Sequence, residues 1–188
     1  MNNNSRFRED KAIAVLTYLL QLSDEINDKY WLNKVMYYIE KESIIRYGEP
    51  VFHDDLYSMP YGPVVSSVKE GIDSADSRIE SESKWKKFIR LNEADHEVFL
   101  IAPGDFSLLS ESEIEIITEA YEKFKDYSFT KIMGYFHSVP EYEEIHGYPR
   151  RKKITYEDLF IKNNFSPDEA SEIIEEIAYS EKAALTYG

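Results

Sequence analysis

Glu49-Pro50-Val51-Phe52-His53-Asp54-Asp55-Leu56-Tyr57-Ser58-Met59-Pro60-Tyr61-Gly62-Pro63-Val64 interrupts a chain otherwise patterned for helix. Three prolines and a glycine within this stretch forbid a regular helix. Just upstream, Leu32, Val35, Met36 and Ile39 fall at helical spacing. Asp28 suits the N-cap of that helix, and Gly48 followed by Pro50 stops it near Tyr47. Downstream, Pro63 suits a first helical position, predicting a third helix with Val64, Val65, Val68 and Ile72 as its apolar residues.

Working outward, Ala12, Val15, Leu16, Leu19 and Leu20 predict a first helix over about 9–22. The polar stretch from Gly71 to Lys84 reads as exposed. Phe88-Ile89-Arg90-Leu91 and Val98-Phe99-Leu100-Ile101 flank a polar centre and predict a β-hairpin, which Pro103-Gly104 ends. Ser110 with Glu113 forms a capping box ahead of Ile114, Ile117, Tyr121 and Phe124. Ser128 opens a shorter helix through Phe129, Ile132, Met133 and Phe136 that stops before Pro140. Thr155 with Asp158 caps a brief turn around Leu159 and Phe160. Ser166-Pro167-Asp168-Glu169 starts a C-terminal helix over about 167–186, through Ile173, Ile174, Ile177 and Ala184. No repeat or linker interrupts the 188 residues, so the expectation is one mainly α domain over 1–188 with one small antiparallel hairpin.

The apolar residues are spread along the whole chain, which argues for a folded globule. The absence of cysteine excludes disulfides and thiolate metal sites and fits a reducing compartment. Met1 to Lys11 has no apolar signal core, and no apolar run is long enough for a bilayer, so a cytoplasmic chain without membrane contact is expected. A formal net charge of −14 repels phosphate backbones and argues against nucleic acid as partner, while steering basic proteins inward. The basic run Arg150-Arg151-Lys152-Lys153 reads as a solvated loop.

Catalytic patterns are thin. His53-Asp54 invites comparison with the metal-dependent HD phosphohydrolases, whose metal shell takes a further histidine upstream of the pair. Here His96, His137 and His146 all follow it. No Gly-x-Ser-x-Gly elbow or Gly-rich phosphate loop is present, so neither enzyme nor cofactor is expected. A degenerate hydrolase using His53, Asp54 and His137 is the remote alternative. The prolines around Tyr61-Gly62 pre-set one loop shape, leaving Tyr57, Met59, Tyr61 and Val64 as either a packed corner or a recognition surface. Fifteen tyrosines, among them Tyr37, Tyr38, Tyr121, Tyr127, Tyr135, Tyr142 and Tyr148, suit a core with hydroxyls at its edge and also a protein interface.

The order of these elements resembles the Panacea domain of SocA-like antitoxins and phage-associated GepA-like proteins. Leu32-Asn33-Lys34-Val35-Met36-Tyr37-Tyr38 is similar to the family's K-L-x-Y helix. Arg46-Tyr47-Gly48-Glu49-Pro50 and Met59-Pro60-Tyr61-Gly62-Pro63-Val64 follow like its G-x-P and Y-G-P-V elements. The hairpin, Leu109-Ser110 and Phe129-Thr130 through His137-Ser138 extend the likeness over about 9–165. Tyr142 stands where many relatives carry tryptophan, and no separate helix-turn-helix domain, hence no self-repression through DNA, is expected. The resemblance implies an antitoxin that neutralises a cognate toxin by direct contact, some relatives also acting as adaptors that deliver a toxin to a protease. The expected contact residues are Tyr57, Met59, Pro60, Tyr61, Gly62, Pro63, Val64 and His137. A mobile-element accessory protein that binds a host factor is the alternative.

Overall fold

The computed structural model describes residues 6–23, 28–80, 82–147 and 150–187, with backbone alone for 184–187. Tyr148 and the side chain of Ala184 lie outside the described residues. Seven α-helices carry the described fold: α1 (Glu9–Leu22), α2 (Lys29–Tyr47), α3 (Ser66–Ser74), α4 (Glu111–Phe124), α5 (Phe129–His137), α6 (Tyr156–Lys162) and α7 (Pro167–Tyr187). Two small sheets accompany them. β3 (Ile89–Asn92) and β4 (Glu97–Leu100) form the expected hairpin, with Ile89 opposite Leu100 and Asn92 opposite Glu97.

The α2 helix is the axis of the molecule. Asp28 accepts the Trp31 amide at 2.6 Å, and Gly48 closes the other end in the left-handed conformation at φ +66°. The apolar stripe read from sequence understates its burial. Every residue from Trp31 to Lys41 is buried, including Asn33, Lys34, Glu40 and Lys41. Helices α1, α3, α4 and α5 and the small strand before α3 all pack against it, so its polar residues must find partners inside the protein. Glu40 does so partly. Its Oε2 accepts the amides of Val51 at 2.7 Å and Phe52 at 2.9 Å, pinning the chain just past Gly48, while burial pushes the carboxyl up to about 8.

The helix-breaking stretch folds into a second sheet that sequence reading did not foresee. β1 (Leu56–Ser58) is its centre, antiparallel to β2 (Val64–Val65) on one side and to β5 (Lys152–Ile154) on the other. Two further expectations change with it. Pro63 is not a first helical residue. Val64 and Val65 pair with Tyr57 and Leu56, as β-branched residues favour, and α3 begins at Ser66. Its N-terminus is capped from a distance by Asp54, which accepts the Ser67 amide at 2.5 Å and the Ser67 hydroxyl at 2.8 Å. The basic run is solvated, as expected, but its second half is strand and not loop. Lys152 and Lys153 lie in β5, matched by Glu143 at 2.5 Å and Asp55 at 2.7 Å, and the Arg151 guanidinium lies 4.7 Å from the Tyr57 ring centre. Charged side chains on an edge strand also discourage pairing with another chain.

The Gly71–Lys84 stretch is only partly exposed. Gly71, Ile72, Ala75 and Asp76 are buried, because Trp85 folds its indole against α3 and donates to Glu9 at 2.9 Å. A Cβ on Gly71 would lie 2.1 Å from the indole Cε2 and 2.5 Å from Cζ2. Gly71→Ala should therefore displace a fully buried tryptophan and cost about 3 kcal/mol, roughly 9 °C in melting temperature for a chain of this size. A thermal melt unchanged by the substitution would show that the indole does not pack there.

Candidate functional site

Met59 to Pro63 form the tip between β1 and β2. The Gly62 amide donates to the Met59 carbonyl at 2.9 Å, closing a turn with Pro60 in second place. Gly62 has φ +95°, a conformation that strains any residue with a Cβ. The tip is held from three sides. Tyr30 donates its hydroxyl to the Tyr61 carbonyl at 2.9 Å, Tyr142 donates to the Met59 carbonyl at 3.2 Å, and Lys34 donates to the Pro63 carbonyl at 2.8 Å.

Against this tip lies a half-open pocket of about 580 Å³ between the start of α2, α3 and the start of α5. Met59, Tyr61 and Gly62 form one wall, and Tyr30 and Phe129 face them from α2 and α5. The Tyr30 and Phe129 rings pack at 4.8 Å between centroids. Tyr61 is 67 % exposed and Phe129 55 %, a large aromatic surface left at one mouth. Phe129 starts α5, ahead of the buried Ile132 and Phe136 on the same helix.

At the pocket's edge with the core sits Lys34, which is 2 % exposed. Its ammonium lies 5.1 Å from the Tyr30 ring centre, and the Pro63 carbonyl is its hydrogen-bond acceptor. No carboxylate pairs with it among the described residues. Burial first, and then the charge of Lys69, push it down to about 7.

The eight residues expected from sequence divide into three groups. Pro60 and Tyr61 are exposed, and Met59 is half-buried at the pocket wall. Gly62, Pro63 and Val64 are buried and act as the support of the tip. Tyr57 and His137 lie apart from the pocket, both half-buried. The His137 ring lies 4.7 Å from that of Tyr142, its Nε2 has no hydrogen-bond partner, and burial, then Lys34, lower its basicity. Sequence reasoning missed Tyr30 and Lys34 as site residues. The signal for Lys34 was a charge amid Trp31, Leu32, Val35 and Met36.

His53 and Asp54 belong to the scaffold. The His53 Nδ1 lies 3.2 Å from Glu181 Oε1, tying the stretch before β1 to α7, while Asp54 caps α3. Among the described residues no three His, Asp or Glu side chains converge as a metal-binding group, and no helix is long and apolar enough to cross a membrane.

A mainly helical domain with a rigid, aromatic-tipped loop is thus what the residues build. Residues 32–141, more than half of the chain, match the family model described as Antitoxin SocA-like, Panacea domain, and the chain belongs to that family. The matched span includes Lys34, the whole 59–64 tip and Phe129. No curated protein sequence and no solved structure matches the chain.

Proposed function

We propose that this protein is an antitoxin that neutralises a cognate toxin by direct contact, the exposed tip around Tyr61 together with Phe129 forming the centre of the contact surface. The observation that carries this reading is an exposed aromatic, Tyr61, on a tip held by three side-chain hydrogen bonds, with the exposed Phe129 of α5 at the same pocket. Such a tip binds with little loss of conformational freedom, and aromatic anchors dominate protein interfaces. Membership of an antitoxin-like family supports a protein partner. Some of the neutralised toxin is then available for delivery to a protease, as the resemblance suggests.

The test is Tyr61→Ala, assayed for rescue of growth arrest by the product of a neighbouring reading frame. The substitution should weaken toxin binding by about 2 kcal/mol, roughly thirtyfold, and leave the melting temperature unchanged because the ring is mostly in solvent. Wild-type binding by a folded Tyr61→Ala chain would remove the tip from the interface.

With a net charge of −14, the preferred toxin is basic. Association should slow as salt rises, since steering is screened beyond about 10 Å at 0.1 M ionic strength. Stopped-flow association rates that stay constant from low to high salt would contradict a basic partner.

A further inference from the structure

The pocket beside the tip has a feature that toxin contact at the rim leaves unused. Its other charged wall residues are matched. Lys29 lies 2.7 Å from both Asp73 and Glu93, Lys69 lies 2.6 Å from Asp73, and Asp28 caps α2. Lys34 alone brings a buried ammonium to the wall with one carbonyl acceptor and no counter-ion among the described residues. Such a group is costly to bury and gains most from a carboxylate that enters with it and leaves water behind.

We propose that this pocket is a binding site for a small apolar monocarboxylic acid, its carboxylate meeting the Lys34 ammonium and its apolar body lying between Tyr30, Met59, Tyr61 and Phe129. The volume of about 580 Å³ falls in the range of small-molecule sites. One uncompensated cation calls for one negative charge, because a second carboxylate would be pressed against the aromatic rim. Lys34 sits at 2 % exposure, a depth suited to a compact ligand that enters the pocket. Bound acid would place its body against Tyr61, so occupancy and partner contact would share one loop. The assignment stands on the pocket and does not require the toxin.

The test is calorimetric titration of the full chain with phenylacetate, benzoate and hexanoate, each against its neutral amide, alongside NMR of the Met59 methyl group. The expected result is saturable binding of at least one acid, its amide weaker by roughly tenfold or more, and a shift of the Met59 methyl on binding. Lys34→Met should abolish the preference for acid over amide, with its fold checked by thermal melting. If that variant does not fold, the acid-to-amide ratio and the Met59 shift on the wild-type chain decide. Equal binding of acid and amide, a preference that survives in folded Lys34→Met, or no binding by any of the three acids at millimolar concentration would overturn the assignment. Toxin rescue that persists in a folded Lys34→Met chain whose preference for acid is lost would separate the two readings, since only the tip reading depends on rescue.

Discussion

Glu141→Ala is expected to lower the stability of the fold by about 4 kcal/mol, the cost of removing one partner of a buried ion pair. Glu141 is 1 % exposed and sits just past α5, where it gathers groups from two other helices. Its Oε1 accepts the Tyr37 hydroxyl at 2.7 Å, and its Oε2 accepts the Lys41 ammonium at 2.9 Å and the Asn163 amide at 3.1 Å. Tyr37 and Lys41 lie on the central helix, and Asn163 follows α6, so one carboxylate joins three segments. Removing it strands the Lys41 charge in the core and leaves the Tyr37 hydroxyl without its acceptor. Urea unfolding should show a lower midpoint at unchanged slope. Replacing Lys41 and Glu141 together by methionine should restore much of the loss, because the stranded charge goes with its partner. A single Glu141→Ala chain within about 0.5 kcal/mol of wild type would mean that water or another group replaces the carboxylate.

What could be read in the sequence follows from the range of the interactions. Asp28, Gly48, the Ser110–Glu113 box and the Thr155–Asp158 box act on neighbours three or four residues away, and each bounds its helix as expected. The β3–β4 hairpin is equally local, and its strands fall within one residue of the expected runs. The β1–β2–β5 sheet escaped because its strands have two or three residues each and Leu56 finds its partner at Ile154, far along the chain. The Gly71–Trp85 packing escaped for a related reason: a glycine in a polar stretch carries no mark of the indole that will cover it.

The candidate site shows the same division. Prolines and the Gly62 turn mark a rigid tip in sequence, but which residues of the tip reach solvent depends on Tyr30, Lys34 and Tyr142 holding it from elsewhere. Hence Tyr61 projects while Pro63 and Val64 are buried. The wall opposite, Tyr30 and Phe129, comes from two helices roughly a hundred residues apart, and no local pattern pairs them.

Lys34→Met is expected to make the protein more stable, by about 3 kcal/mol at pH 6. Burial lowers the folded-state value of Lys34 from 10.5 to about 7, a gap worth roughly 5 kcal/mol as an upper bound. Loss of the bond to the Pro63 carbonyl and of the contact with the Tyr30 ring returns about 2 kcal/mol of that. The sign can be checked by pH. Below pH 7 the amine is charged in both folded and unfolded chains, and the full cost of burying the charge falls on the wild type. Between about 7 and 10.5 the unfolded chain holds a proton that the folded chain has released, so wild-type stability rises with pH through this group. The advantage of Lys34→Met should therefore be greatest at pH 6, shrink by about 3 kcal/mol by pH 9, and vary little below pH 6. Taking the difference between the two chains removes the titration of every other group that the substitution leaves alone. Urea titrations of both chains at pH 6, 7.5 and 9 measure it directly. A methionine chain that is less stable at pH 6, or a difference that does not change with pH, would show that the ammonium already has a counter-ion in the folded protein. A stabilising change at Lys34 would mean that the fold keeps this lysine at a cost to itself, which is the pattern of a residue retained for what it binds.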